Sequence, residues 1–281
     1  MEINLEQKLD FSNADIDLTL PKISISNCLD CLETPFDKEG VAQKTYEKNF
    51  NNPDSKYYQM SVQQIIESWE LKGAESCSYG SLLDDYIGLI LTGTENELML
   101  WKLDNSYEWD ERLQGICKSF DDFYNILRRS GDVIFVDREK TVYHKYNGHL
   151  IKGRFDCLFY NKKKKKYILV DWKSSGTIDT VPDRWTKKML GPMFKFPQLN
   201  HYRYTLQLHF YKKTLIEDGY LPEGTKPEDI EVLIVNLPGH IIQSNNQYFC
   251  IYKEAFPYNP ALMDNLFKFA IQKQELQKQI G

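Results

Sequence analysis

The chain has 281 residues, 42% hydrophobic and 27% charged, with a net charge of −5. That is ordinary globular composition with material for one good core and one or two domains, and no apolar run approaches the length of a membrane span. The start, Met1-Glu2-Ile3-Asn4, lacks the basic-then-apolar pattern of a secretory signal, and six scattered cysteines at 28, 31, 77, 117, 157 and 250 read as reduced thiols of a cytosol-like compartment.

Residues 1 to about 55 have weak periodicity and many Asn, Asp and Ser, and read as an N-terminal extension of unclear structure. Val62, Ile65, Ile66 and Trp69 recur at helical spacing, and a second stripe follows in Leu82, Leu83, Tyr86, Ile87 and Ile90. A third helix runs through Trp109, Leu113, Ile116, Phe120, Phe123 and Leu127 and ends at Gly131. The texture then changes to strands over 133–136, 141–143, 154–160 and 167–171, the last two joined by a polar tip at Asn161 and the lysine run. A helix over 197–218 stops near Gly219; strands follow at 232–235 and 248–252; Leu262, Leu266, Phe269 and Ala270 mark a C-terminal helix. The order predicts an α/β fold, a mixed central sheet flanked by helices behind a helical N-terminal section.

Charge is segregated along this order. Residues 138–213 hold 18 Lys and Arg against 5 Asp and Glu, leaving 17 basic and 35 acidic residues elsewhere. The run Lys162–Lys166 alone reads as a solvated turn, but the asymmetry of the whole region suggests a surface facing a polyanion.

The chemistry concentrates in Tyr167-Ile-Leu-Val-Asp171-Trp-Lys173. Alternate strand residues share a face, so Asp171 and Lys173 point one way and Trp172 the other. Ile168 to Val170 is apolar on both faces, which predicts a central strand. The preceding strand, Gly153-Arg-Phe-Asp156, carries a second carboxylate that a hairpin brings beside Asp171. Two close carboxylates repel, and a divalent cation relieves the repulsion; oxygen ligands favour Mg²⁺ or Mn²⁺. Such an ion polarises a phosphate and acidifies water, and Lys173 would orient that water or stabilise the charge that develops.

Gly153-Arg-Phe-Asp156 followed by Val170-Asp171-Trp172-Lys173-Ser174-Ser175 resembles the active-site hairpin of PD-(D/E)XK nucleases, in particular the RecB-type and mitochondrial genome maintenance exonuclease branch. The resemblance covers roughly residues 60 to 240, with clear motifs in the hairpin and the following helix. It implies a restriction-endonuclease-like fold over a nuclease domain at 56–255, with a C-terminal helix at 256–281 packed on it. It also implies DNA cleavage dependent on Mg²⁺ or Mn²⁺. The metal ligands it implies are Asp156, Asp171, the Trp172 backbone carbonyl, Glu139 and Asp84. The catalytic set is Asp156, Asp171, Lys173 and Glu139 with Gln207 and Tyr211, which fit the family's Gln-x-x-x-Tyr motif. Phe155 stands where the family name has proline, and Asp84, in Gly80-Ser-Leu-Leu-Asp84, where the branch has histidine. Asp85 has an equal claim to that place, Asp137 competes with Glu139, and Gln198 with Tyr202 also satisfies the Gln–Tyr pattern.

Other motifs carry less. Cys28-x-x-Cys31 is half a zinc site without a second half, and the iron–sulfur cluster of some RecB-type relatives is not expected, since only Cys250 lies beyond Cys157. No glycine-rich phosphate loop suggests a motor. The expected activity is a DNA nuclease, an exonuclease on ends or single strands in replication, recombination or repair. Its partners would be DNA and other replication or recombination proteins, with no membrane. The setting would be the cytoplasm, or the host-cell cytoplasm for a phage or viral protein. A structure-specific or restriction-type endonuclease, and a nuclease fold kept as an inactive binding module, are the alternatives.

Overall fold

The computed structural model describes residues 9–13, 16–174, 176–243 and 246–280. The chain forms two units, the described parts of Met1–Glu33 with Gln114–Gly281, and Thr34–Leu113.

The first unit is built on a mixed six-stranded sheet. Its strands are β1 (Lys22–Ser24), β2 (Val133–Tyr146), β3 (His149–Asn161), β4 (Lys166–Lys173), β5 (Ile230–Asn236) and β6 (Cys250–Tyr252). β4 lies between β3, antiparallel, and β5, parallel, which is why its middle residues are apolar on both faces. β2 covers one whole edge of β3. The other edge is shared: β1 pairs in parallel with Leu150–Lys152, and β4 with Cys157–Asn161. Residues 153–156 of β3 lie between the two pairings.

Helices cover both faces. On one, α1 (Ile25–Asp30), α6 (Asn200–Glu217) and α7 (Pro260–Ile280) bury Leu29, Leu206, Phe210, Leu266 and Phe267 against Phe155, Leu158, Leu169 and Val232. On the other, Phe120 and Phe123 of α5 (Glu111–Arg128) meet the Trp172 ring edge-on, with centroids 5.6 and 5.5 Å away. α5 also approaches the chain after β5, where a Cβ on Gly115 would stand 2.2 Å from the Gly239 carbonyl oxygen. The Gly239 N–H donates to Ser119 Oγ there at 3.1 Å. The expected mixed sheet flanked by helices is therefore present.

Several elements differ from expectation. Within the stretch 1–55, read from the sequence only as an extension of unclear structure, Ile23, Ile25, Cys28, Leu29 and Leu32 are core residues. The segments 133–136 and 141–143 are one strand, bulged between Phe135 and Asp137. β6 is only three residues long. α6 begins at Asn200 rather than 197, and Gly219 takes the left-handed φ of +76° expected just past a helix end.

The second unit holds α2 (Lys38–Asn49), α3 (Val62–Thr92) and α4 (Glu95–Asp104). The two predicted stripes belong to one 31-residue helix, α3, capped by Ser61 and Gln64. Its stretch 70–78 is exposed, so no apolar periodicity marked the continuity. Trp69 Nε1 donates to Tyr57 Oη at 2.8 Å, Lys38 pairs with Glu70, and Arg112 pairs with Glu75 at 2.7 Å. Trp109 stands in a 3-10 turn, 89% exposed, and not on the α5 face assigned to it; Asp110 behind it accepts the Leu113 N–H at 2.9 Å. All six cysteines are free thiols, and among the described residues no helix is long and apolar enough to cross a membrane.

Candidate active site

The β3–β4 hairpin places the two carboxylates opposite each other. Cys157 pairs with Val170, and the next position along brings Asp156 across from Asp171. Asp156 Oδ2 accepts the Trp172 backbone N–H at 2.7 Å, which locks the two strands at this point. Asp171 is 1% exposed, and its Oδ1 has no hydrogen-bond partner among the described residues. Lys173 Nζ lies 2.6 Å from Asp171 Oδ2, and Trp172 turns to the opposite face, as strand alternation requires.

Burial pushes the Asp156 carboxyl up to about 8, with the Asp171 charge adding to the shift. Burial also raises Asp171, against the opposing pull of Lys173. For Lys173 burial works against the ammonium, but Asp171 and Asp156 outweigh it and hold its pKa above the ordinary lysine value. Two carboxylates thus face one ammonium, and the pair favours an extra positive charge, proton or cation.

α6 supplies a second layer. Tyr204, Gln207 and Tyr211 recur at i, i+3 and i+7 and share a face. The Tyr204 ring centre is 4.5 Å from Lys173 Nζ. Gln207 Nε2 donates to Tyr211 Oη at 3.2 Å, and the Tyr211 hydroxyl donates to the Arg154 carbonyl at 2.7 Å. Gly153 makes that reach possible: a Cβ there would stand 2.6 Å from both Phe210 Cε1 and Tyr211 Cε1. Gln198 precedes the helix and Tyr202 packs on Phe196 and Phe256, whereas Tyr211 reaches β3.

Glu139 sits on the β2 segment that lines β3, in a left-handed conformation with φ of +51°. Its Oε2 pairs with Arg154 Nε at 2.7 Å, and its charge helps to raise Asp156. Asp137 instead pairs with Lys140 at 3.5 Å. Asp84 lies half-buried on α3 of the second unit, with Asp85 beside it exposed. Ser174 follows β4, and Ser175 is outside the described residues.

A hard divalent cation fits the donor set at the hairpin, because Asp156 and Asp171 are oxygen donors and Asp171 Oδ1 is buried without a donor of its own. A buried polar atom left unpaired costs on the order of 1–3 kcal/mol, which such an ion would relieve. Among the described residues no three His, Cys, Asp or Glu side chains converge as metal ligands, so the arrangement is a pair of carboxylates and not an acidic cluster.

The basic region is sorted by its burial. Lys212 and Lys213 are buried, the latter paired with Glu217 and Asp264, and Arg203 is held by Asp30 and Glu33. Lys162–Lys165 form the solvated hairpin tip, which begins six residues from Asp156 and so about 20 Å away along the strand. Exposed cations remain at Lys145, Lys152, Arg154, Arg184, Lys187, Lys188 and Lys195. Two residues of interest were not singled out in the sequence. Arg154 lay inside the Gly-x-x-Asp motif, and Tyr204 was readable as the i−3 and i−7 neighbour of Gln207 and Tyr211.

No protein-family model matches the chain, and no curated protein matches it by sequence. Among solved structures, a "putative exonuclease" of Eubacterium rectale is similar over 99% of this chain and 86% of that one, with 13% identity and a TM-score of 0.43. A likeness of that size carries no activity from one chain to the other.

Proposed function

We propose that the chain is a metal-dependent DNA nuclease of the PD-(D/E)XK type, an exonuclease on DNA ends or single strands in replication, recombination or repair. The observation that carries it is the buried Asp171 Oδ1 without a donor, opposite Asp156 and beside Lys173 on one strand face. Asp156 and Asp171 would hold Mg²⁺ or Mn²⁺, which when bound supplies Lewis-acid stabilisation of the phosphate. Lys173 places an ammonium next to that position without competing as a ligand, and its raised pKa keeps it charged to donate to a phosphate or water oxygen. Tyr204 and Asp171 hold its direction. Tyr211 and Gln207 fix the β3 backbone that carries Asp156. Glu139, whose charge acts on Asp156 and whose Oε2 pairs with Arg154, would be a further ligand.

Purified protein incubated with labelled linear and circular DNA, with Mg²⁺ or with EDTA, tests this. Metal-dependent loss of linear DNA alone is expected. Cleavage of both substrates would make the chain an endonuclease, and cleavage of neither, in Mg²⁺ or Mn²⁺, would leave a nuclease fold used as a binding scaffold.

A further inference from the structure

The segment 174–199 joins the end of β4 to the start of α6, the two elements that carry Lys173 and Tyr204. Its large side chains divide into two sets. Ile178, Met189 and Met193 are buried in the core, whereas Val181, Trp185, Leu190 and Phe194 are exposed, Trp185 at 75% and Phe194 at 60%. The segment is anchored. Met189 N–H donates to the Phe196 carbonyl at 3.0 Å and Gln198 N–H to the Lys187 carbonyl at 2.8 Å, closing a short antiparallel turn around Phe194. Leu190 N–H donates to the Leu32 carbonyl at 2.7 Å and ties the turn to the chain after α1. Trp185 stands on a second turn, in which Asp183 Oδ1 accepts its N–H at 3.0 Å and the Thr186 hydroxyl at 2.6 Å.

Cations accompany both rings. The Arg184 guanidinium lies 4.8 Å from the Trp185 ring centre, and the Lys195 ammonium 5.9 Å from that of Phe194. Lys187 and Lys188 between them are exposed. The acidic residue of the stretch 181–195 is Asp183, whose carboxylate is engaged within the turn. A protein-docking patch has an apolar centre depleted of charge. Here aromatic faces alternate with cations, the combination that suits an unpaired strand, with rings against bases and cations against phosphates. A duplex keeps its base faces stacked and offers the rings nothing.

We propose that residues 181–195 form a stacking platform for single-stranded nucleic acid. Trp185 and Phe194 each take a base face, and Arg184, Lys187, Lys188 and Lys195 neutralise the flanking phosphates. The inference rests on the nuclease reading for its purpose: the platform would feed an unpaired end toward the hairpin from which it extends.

Anisotropy of labelled oligo(dT) and of a blunt duplex of equal length, titrated with the intact protein in EDTA, tests binding apart from cleavage. Trp185→Ala and Phe194→Ala should each weaken oligo(dT) binding on the order of tenfold, since base stacking on one ring is of that size. Duplex affinity, set by phosphate contacts, should change less than about twofold. Trp185→Phe should retain most of the affinity, and both alanine variants should melt at the parental temperature because the rings are exposed. A Trp185→Ala/Phe194→Ala double variant that binds oligo(dT) like the parent overturns the platform, as does equal loss on strand and duplex. If the parent cleaves DNA while the double variant binds normally, the platform fails and the nuclease reading stands. If the parent cleaves nothing but loses oligo(dT) in the double variant, the nuclease reading fails and the platform stands.

Discussion

The Tyr211 hydroxyl donates to the Arg154 carbonyl at 2.7 Å, so a buried side chain of α6 holds the β3 backbone two residues before Asp156. Tyr211→Phe keeps the ring in the core and removes only this tether, leaving the carbonyl unpaired. A loss of about 1–3 kcal/mol in unfolding free energy is expected. Mn²⁺ affinity measured by calorimetry should fall with it, because Asp156 is no longer held in register. Unchanged metal affinity would reduce Tyr211 to a packing residue.

Lys173→Ala should abolish cleavage while leaving Mn²⁺ binding nearly intact. Loss of an oriented charge at a reacting phosphate costs on the order of a hundredfold or more in rate. Single-turnover cleavage and calorimetry on the same variant separate the two effects. Parental cleavage by Lys173→Ala would mean that Lys173 serves only as the ion-pair partner of Asp171.

The metal-free protein should lose stability as pH rises. Asp156 is pushed from the ordinary 3.8 to about 8, so between those values the folded chain holds a proton that the unfolded chain releases. That contribution is fully present below 3.8 and is lost as pH rises through about 8. In EDTA the melting temperature should therefore fall from pH 5 to pH 8, and Mn²⁺ at pH 8 should restore it. Asp156→Asn should flatten the slope. A melting temperature in EDTA that is the same for parent and Asp156→Asn at both pH values would contradict the buried carboxylate pair.

Gly153→Ala should destabilise the fold without touching a charged group. Its Cβ would press on Phe210 and Tyr211 at 2.6 Å, and overpacking of this kind costs about 1–3 kcal/mol. The denaturant midpoint reads this directly. A variant as stable as the parent would mean that α6 can retreat from β3 freely, and that its closeness does not depend on glycine.

What could be read from the chain was local. Alternation along 167–173 puts Asp171 and Lys173 on one face because adjacent strand residues alone decide it, and the apolar run between marks a strand buried on both sides. The i, i+4 spacing of Gln207 and Tyr211 likewise needs only one helix. Non-local relationships were illegible. β1 is three residues long and earns its place only by pairing with β3. The middle of α3 has no buried face, so one helix read as two. Asp137 to Lys140 is polar enough to look like a break, yet β2 passes through it by a bulge and the left-handed Glu139. Trp185 and Phe194 sit in irregular chain, where periodicity offers nothing to count.

The pairing of Ile23 with Ile151 joins two residues of one ladder that stand 128 positions apart in the chain. On a ribosome, at roughly 5–20 residues per second, β1 and α1 emerge on the order of ten seconds before the strand they need. The whole of α2, α3 and α4 is made in that interval. The helical unit can therefore mature first, while the opening segment stays an unpaired edge in need of protection. Closing so long a loop also slows the final step. Refolding of the intact chain should then show helix formation well ahead of completion of the sheet, with the hairpin carrying Asp156 and Asp171 present before the edge beside it is filled.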